Sequence, residues 1–224
     1  MGRQKRNAAG KRLYGFSLAF FCLMKGECMG KVCSVFGHRK IEKTKQLVAK
    51  LDELLEMLIV EKGVTTFLFG SRSEFDSLCH QRVTLLQTKY PEIKRIMHTC
   101  RSEYACPKEE KEERERIARA VTKREIIYQD YDGAVQSDRV YNAGRASYVE
   151  RNQEMIDASD YCIFYYNPDY QPPRRKYGKR YIGDYQPKSG TALAFEYANQ
   201  REQGGKALRI FNLKKTDNGK IKTL

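Results

Sequence analysis

The chain has 224 residues, enough for one domain with its own hydrophobic core. Hydrophobic residues at 41% with charged residues at 31% are ordinary for a soluble globular protein. Seven cysteines without repeated spacing argue against a secreted disulfide scaffold and for reduced thiols in the cytoplasm.

The formal net charge of +14 is unevenly spread. Residues 1–31 carry seven Lys/Arg against Glu27, residues 167–188 six against Asp169 and Asp184, and residues 206–224 six against Asp217, which leaves the body close to neutral. Such basic segments suit nucleic acid, an anionic membrane face or a phosphorylated ligand, and equally plain solubility. Leu13 to Met24 is a short apolar run behind Arg3, Lys5, Arg6, Lys11 and Arg12, in the outline of a signal peptide. It is too short to span a bilayer, and Lys25-Gly26-Glu27 follows where small residues would mark a cleavage site. Residues 1–30 therefore read as a non-essential extension, or an over-long start, ahead of a domain at 31–213. Residues 214–224 read as a polar tail.

Val32 to Phe36 is a short apolar run, the pattern of a buried strand. Lys43 to Lys62 places Leu47, Leu51, Leu54, Leu55, Leu58 and Ile59 on one helical face, closed by Gly63. Thr65 to Phe69 predicts a second strand, Glu74 to Thr88 a second helix stopped before Pro91, and Ile93 to Met97 a third strand. Glu109 to Arg119 alternates in charge as a solvated helix does, and Glu125 to Tyr128 is a candidate fourth strand. Arg145 to Ala158 predicts a helix, Tyr161 to Tyr166 the most apolar strand, Thr191 to Gln203 a helix closed by Gly204-Gly205, and Ala207 to Leu213 a last strand. Strands alternating with helices predict an α/β, Rossmann-like parallel sheet with helices on both faces, in a single domain.

Ligands of such sheets sit outside the carboxyl ends of the strands, so the turns that follow strands carry the functional expectation. Gly37-His38-Arg39 combines a permissive backbone, an imidazole and a planar cation; an ordinary turn with two exposed polar residues has the same sequence. Gly70-Ser71-Arg72-Ser73-Glu74-Phe75-Asp76 runs from a strand end into a helix start, where free N–H groups attract anions. Asp76 suits ribose hydroxyls. Ser71 with Glu74, or Ser73 with Asp76, also matches a capping box. Ser189-Gly190-Thr191 opens the last helix as a phosphate cradle or a plain N-cap.

The order of these turns resembles the SLOG superfamily, most closely its YpsA-like branch of bacterial proteins. The matching stretches are Val35-Phe36-Gly37-His38-Arg39, Phe69 to Asp76, Arg151-Asn152-Gln153-Glu154-Met155-Ile156-Asp157, Ser159-Asp160-Tyr161, and Ser189-Gly190-Thr191 with Tyr197-Ala198. The resemblance spans about residues 31–213 and implies a Rossmann-like fold that binds a nucleotide or nucleotide-derived molecule, such as NAD or an ADP-ribose-like compound, as a sensor or regulatory protein. Implied ligand contacts are Gly37, His38, Arg39, Gly70, Ser71, Arg72, Asp76, Arg151, Ser189, Gly190 and Thr191. A protein partner and a homo-oligomer fit the sensor role.

One enzymatic branch, the Lonely Guy phosphoribohydrolases, pairs Arg-Lys-x-x-Met with Gly-Gly-x-Gly-Thr-x-x-Glu to cleave an N-glycosidic bond. Arg151 and Met155 keep the first spacing, with Asn152 in place of Lys. Ala194 stands where the Glu belongs, and Glu196, rotated about 200° further round the helix, should face elsewhere. Hydrolysis needs that carboxylate, so Arg151 is left to bind phosphate or to form a surface ion pair. The superfamily also includes the DNA-processing protein A, whose Rossmann-like domain binds single strands. Residues 167–188, where Arg174, Arg175, Lys176, Lys179 and Arg180 interleave with tyrosines, suit single-stranded nucleic acid, a lid over a nucleotide, or an ordinary basic hairpin. His98, Cys100 and Cys106 match no zinc spacing, so no metal is expected. Cys79 reads as core; His80 carries no assignment.

Overall fold

The computed structural model describes residues 30–70, 73–99, 131–137, 145–170 and 188–214. Six strands form one parallel sheet: β1 Lys31–Gly37, β2 Val64–Phe69, β3 Lys94–Thr99, β4 Gly133–Gln136, β5 Tyr161–Tyr165 and β6 Arg209–Asn212. Four helices accompany them among the described residues: α1 Lys45–Val60, α2 Glu74–Gln87, α3 Arg145–Ala158 and α4 Gly190–Gln203. The expected α/β, Rossmann-like arrangement is what the chain adopts. Apart from the fourth strand, the predicted strands and helices recur with boundaries shifted by up to two residues. β4 lies beyond the predicted fourth strand; Glu125–Tyr128 and the charged stretch Glu109–Arg119 fall outside the described residues.

The alternation of side chains along each strand feeds two separate cores. Cys33 and Val35 of β1 pack with Leu51, Leu55 and Leu58 of α1 and Phe75 and Val83 of α2. Val32 and Phe36 point the other way, to Met155 and Ile156 of α3 and Ala194 and Ala198 of α4. Cys79 is a buried core thiol on the first face, as its helical position predicts. Helix ends follow local chemistry: Thr44, Ser73 and Ser189 are N-caps whose side chains accept from Leu47, Asp76 and Ala192 N–H groups. Gly63 and Gly205 lie at φ of 70° and 87°, where a side chain would be strained.

The strand order is β4-β3-β2-β1-β5-β6. The chain moves outward from β1 through β2, β3 and β4, then returns to place β5 on the opposite side of β1. Phe36 is in register with Phe164, and Gly37 with Tyr165. This reversal makes the carboxyl ends of β1 and β5 a topological switch point, where flanking helices diverge and leave a crevice.

Gly37 has a packing reason to lack a side chain. A Cβ built there would lie 2.3 Å from the Phe75 Cβ, whereas one on Gly190 meets nothing within 4 Å. Gly37→Ala is expected to lower unfolding free energy by about 1–3 kcal/mol through overpacking against α2. Gly190→Ala is expected to change it by less than about 0.5 kcal/mol. Urea denaturation of the two variants checks the contrast.

Candidate functional site at the switch point

Three of the expected turns meet at one rim. The Thr191 hydroxyl donates to the Gly37 carbonyl at 2.9 Å, which joins the start of α4 to the end of β1. The Glu74 amide donates to the Arg39 carbonyl at 3.2 Å, and its carboxylate takes Lys40 and the Ile41 amide, which joins the start of α2 to the same turn. Ser189 is spent as the α4 N-cap and Ser73 as the α2 N-cap. Ser71 and Arg72 lie outside the described residues.

His38 and Arg39 part company. Arg39 is exposed on the rim, while His38 is only 1% exposed. The Asn167 amide donates to His38 Nε2 at 2.8 Å, and the Asn167 carbonyl lies 3.1 Å from the same nitrogen. An amide N–H aimed at a ring nitrogen needs its lone pair, so the proton of the neutral ring sits on Nδ1. Nδ1 is buried and has no hydrogen-bond partner among the described residues. The ring stacks on Tyr170, with centroids 3.9 Å apart and planes 12° from parallel. A buried donor left without an acceptor costs about 1–3 kcal/mol.

Arg151 is the second unusual group. The α3 face that carries it enters the second core, and the residue is 2% exposed. Its guanidinium lies against Gly70: a Cβ there would meet Arg151 Nε at 2.9 Å and Met155 Sδ at 2.6 Å. Gly70 is thus the space that admits the arginine. Arg151 Nη2 donates to Asn152 Oδ1 at 3.0 Å, and the guanidinium sits 5.3 Å from the Tyr148 ring centroid. Nε is buried without a partner, and no carboxylate among the described residues pairs with the side chain. A surface ion pair, the bland reading of this residue, is overturned by its burial.

α3 is held firmly enough to keep that cation in place. Ser34 and Ser159 hydroxyls both donate to the Met155 carbonyl, at 3.1 and 2.8 Å. Lys206 Nζ caps the helix end through the Ile156 and Asp157 carbonyls, each at 2.6 Å. One helical turn beyond Arg151, the Glu154 carboxylate accepts from Ser137 and lies 3.6 Å from His98 Nε2, all three side chains being buried. This network ties α3 to the ends of β3 and β4. Sequence spacing did not single it out, because the three residues come from distant parts of the chain. Asn167 and Tyr170 carry no such signal either, since in sequence they belong to the basic stretch 167–188.

The remaining expected residues divide by layer. His38, Gly70, Arg151 and Thr191 stand on the α3/α4 side. Asp76 is buried at the first turn of α2, on the other side, where its charge helps to raise the Cys79 thiol pKa after burial itself. Glu196 pairs with Lys188 at 2.6 Å on the exposed side of α4, while Ala194 lies in the core, as the helical spacing predicts. His80 packs against Phe69 and Tyr131.

A doubly wound α/β protein with a buried arginine and a neutral, tautomer-fixed histidine at its switch point is the class that this geometry defines. The family model described as the YspA SLOG family matches residues 33–195, and the chain belongs to that family. No curated protein matches the chain. No helix among the described residues is long and apolar enough to cross a membrane.

Burial lowers the pKa of His38 below 6.5, with the Lys214 charge acting in the same direction and the Asn167 backbone opposing. The unfolded chain therefore takes up this proton at higher pH than the folded chain does. The stability tied to neutral His38 is complete above pH 6.5 and declines as the pH falls below it. Melting temperature is expected to drop between pH 7.5 and 5.5, and His38→Gln is expected to flatten that slope. Thermal melts of both proteins across the range test this.

Proposed function

We propose that the protein binds a nucleotide or nucleotide-derived small molecule in the switch-point crevice and acts as a sensor or regulatory protein in the cytoplasm. The observation that carries this reading is Arg151, a cation buried at the rim with no carboxylate among the described residues to neutralise it. Removing a guanidinium from water costs several kcal/mol, roughly, unless an anion compensates, so an uncompensated one marks the place of an anionic ligand. Its planar fork matches two phosphate oxygens. Family membership supports a nucleotide-related ligand. The Thr191 and Ser189 turn adds the open end of α4, and Gly70 lets the arginine reach the β2 edge.

Binding is favoured over hydrolysis. The carboxylate that glycosidic cleavage would require after Thr191 is replaced by the core residue Ala194, and Glu196 is engaged by Lys188. AMP, NAD and ADP-ribose are the probes of choice, and intact ligand should be recovered after incubation.

Arg151→Met separates this role from a structural one. Replacing an unneutralised buried cation by an apolar chain of similar length is expected to leave the ligand-free protein as stable as the parent, or up to about 2 kcal/mol more stable. The same change is expected to abolish ligand-induced stabilisation, worth about 2.7 kcal/mol at a hundredfold excess over Kd. Thermal shift with the three probes, together with native mass spectrometry of the purified protein, decides the matter. A destabilised variant that still binds would refute the assignment.

A further inference from the structure

We infer that His38 and Tyr170 form a second, uncharged recognition point that donates hydrogen bonds to a neutral acceptor on the ligand, a sugar or base oxygen or nitrogen, while Arg151 takes its anionic end. The inference rests on the binding reading above and extends it to a residue, Tyr170, that no turn motif marks.

Two donors carry it. His38 Nδ1 and Tyr170 Oη are both buried, and neither has a hydrogen-bond partner among the described residues. The two rings are stacked, which places both groups on one small surface at the end of β1. The amide of Asn167 holds the lone pair of His38 on Nε2, so Nδ1 can act only as a donor while the ring is neutral. Burial keeps it neutral near pH 7. Tyr166 flanks the same ring at 5.9 Å and is itself stacked on Phe195 of α4, which fixes the imidazole from the core side.

The two recognition points face the same crevice. Strand alternation puts His38 and Gly70 both on the α3/α4 side, and Gly70 carries the Arg151 guanidinium against it. β1 and β2 are neighbours, about 4.8 Å apart as strands are. Continuing the register of Ser34 with Leu68 sets Phe36 opposite Gly70, so the backbone at His38 lies one strand spacing across the sheet from Gly70 and about 6.6 Å further along it, the scale of a nucleoside monophosphate. A free phosphate would fill only the first point. Both donors at the second are uncharged, so they discriminate ligands by shape and acceptor position rather than by charge.

The test uses the full chain and two readouts. Isothermal titration compares inorganic phosphate with AMP, NAD and ADP-ribose for the parent, Tyr170→Phe and Arg151→Met. Tyr170→Phe keeps the stack and removes the hydroxyl. It is expected to weaken the best of the three nucleotides about three- to tenfold and to change phosphate affinity less than twofold. Arg151→Met is expected to weaken both classes. Long-range nitrogen NMR is expected to show His38 protonated at Nδ1 at pH 7.5, its signals identified among the three histidines by their loss in His38→Gln. If the nucleotides bind no tighter than phosphate, if Tyr170→Phe leaves their affinities unchanged, or if His38 proves protonated at Nε2, the second recognition point is overturned and the anion site stands. If neither phosphate nor any nucleotide binds the parent, both readings fall.

Discussion

β1 is paired on both sides, and that double pairing is the constraint from which the rest of the molecule follows. β2 lies along one edge of it and β5 along the other, in parallel register through Phe36 with Phe164 and Gly37 with Tyr165. A parallel neighbour on each side requires crossovers that leave in opposite directions. α2 and α4 therefore begin on opposite faces of the sheet, and a crevice opens above the central strand. Gly37 is the tightest point of this arrangement, with Phe75 packed where a side chain would be and Thr191 bonded to its carbonyl.

The crevice is unusual for what its walls leave undone. Two other described arginines are paired: Arg82 takes Asp52 through two nitrogens at 2.5 and 2.7 Å, and Arg95 takes Asp132. Arg151, His38 and Tyr170 bury polar atoms without a partner among the described residues at the edge where an α/β sheet receives ligands. A buried guanidinium with no carboxylate among the described residues costs stability rather than adding it. Ser34, Ser159 and Lys206 hold α3 rigid beneath that arginine, so the cation is preorganised rather than recruited.

The contrast with the arrangement that glycosidic cleavage requires is local. The fold and the arginine position are compatible with glycosidic chemistry, whereas the helix that would supply the carboxylate presents Ala194 to the core and Glu196 to Lys188. The difference lies in one helical face, since a side chain two positions along a helix points nearly the opposite way.

Much of this was legible in the order of residues. Alternating strand and helix patterns specify the sheet and its helices, and Gly63, Ser73 and Ser189 mark turns and caps through local chemistry that needs no tertiary partner. The strand-end turns at Gly37, Gly70 and Ser189 were visible for the same reason. Burial and pairing were not. Whether Arg151 is a surface ion pair or a buried cation depends on the gap left by Gly70, which lies 81 positions earlier in the chain. The proton on His38 is set by the backbone of Asn167, 129 residues away. Glu154 meets His98 and Ser137 only because β3 and β4 end beside α3. Periodicity along a chain reports which face of an element is apolar. Which distant polar atoms converge, and which are left without partners, is settled only when the sheet order brings separate strand ends to one rim.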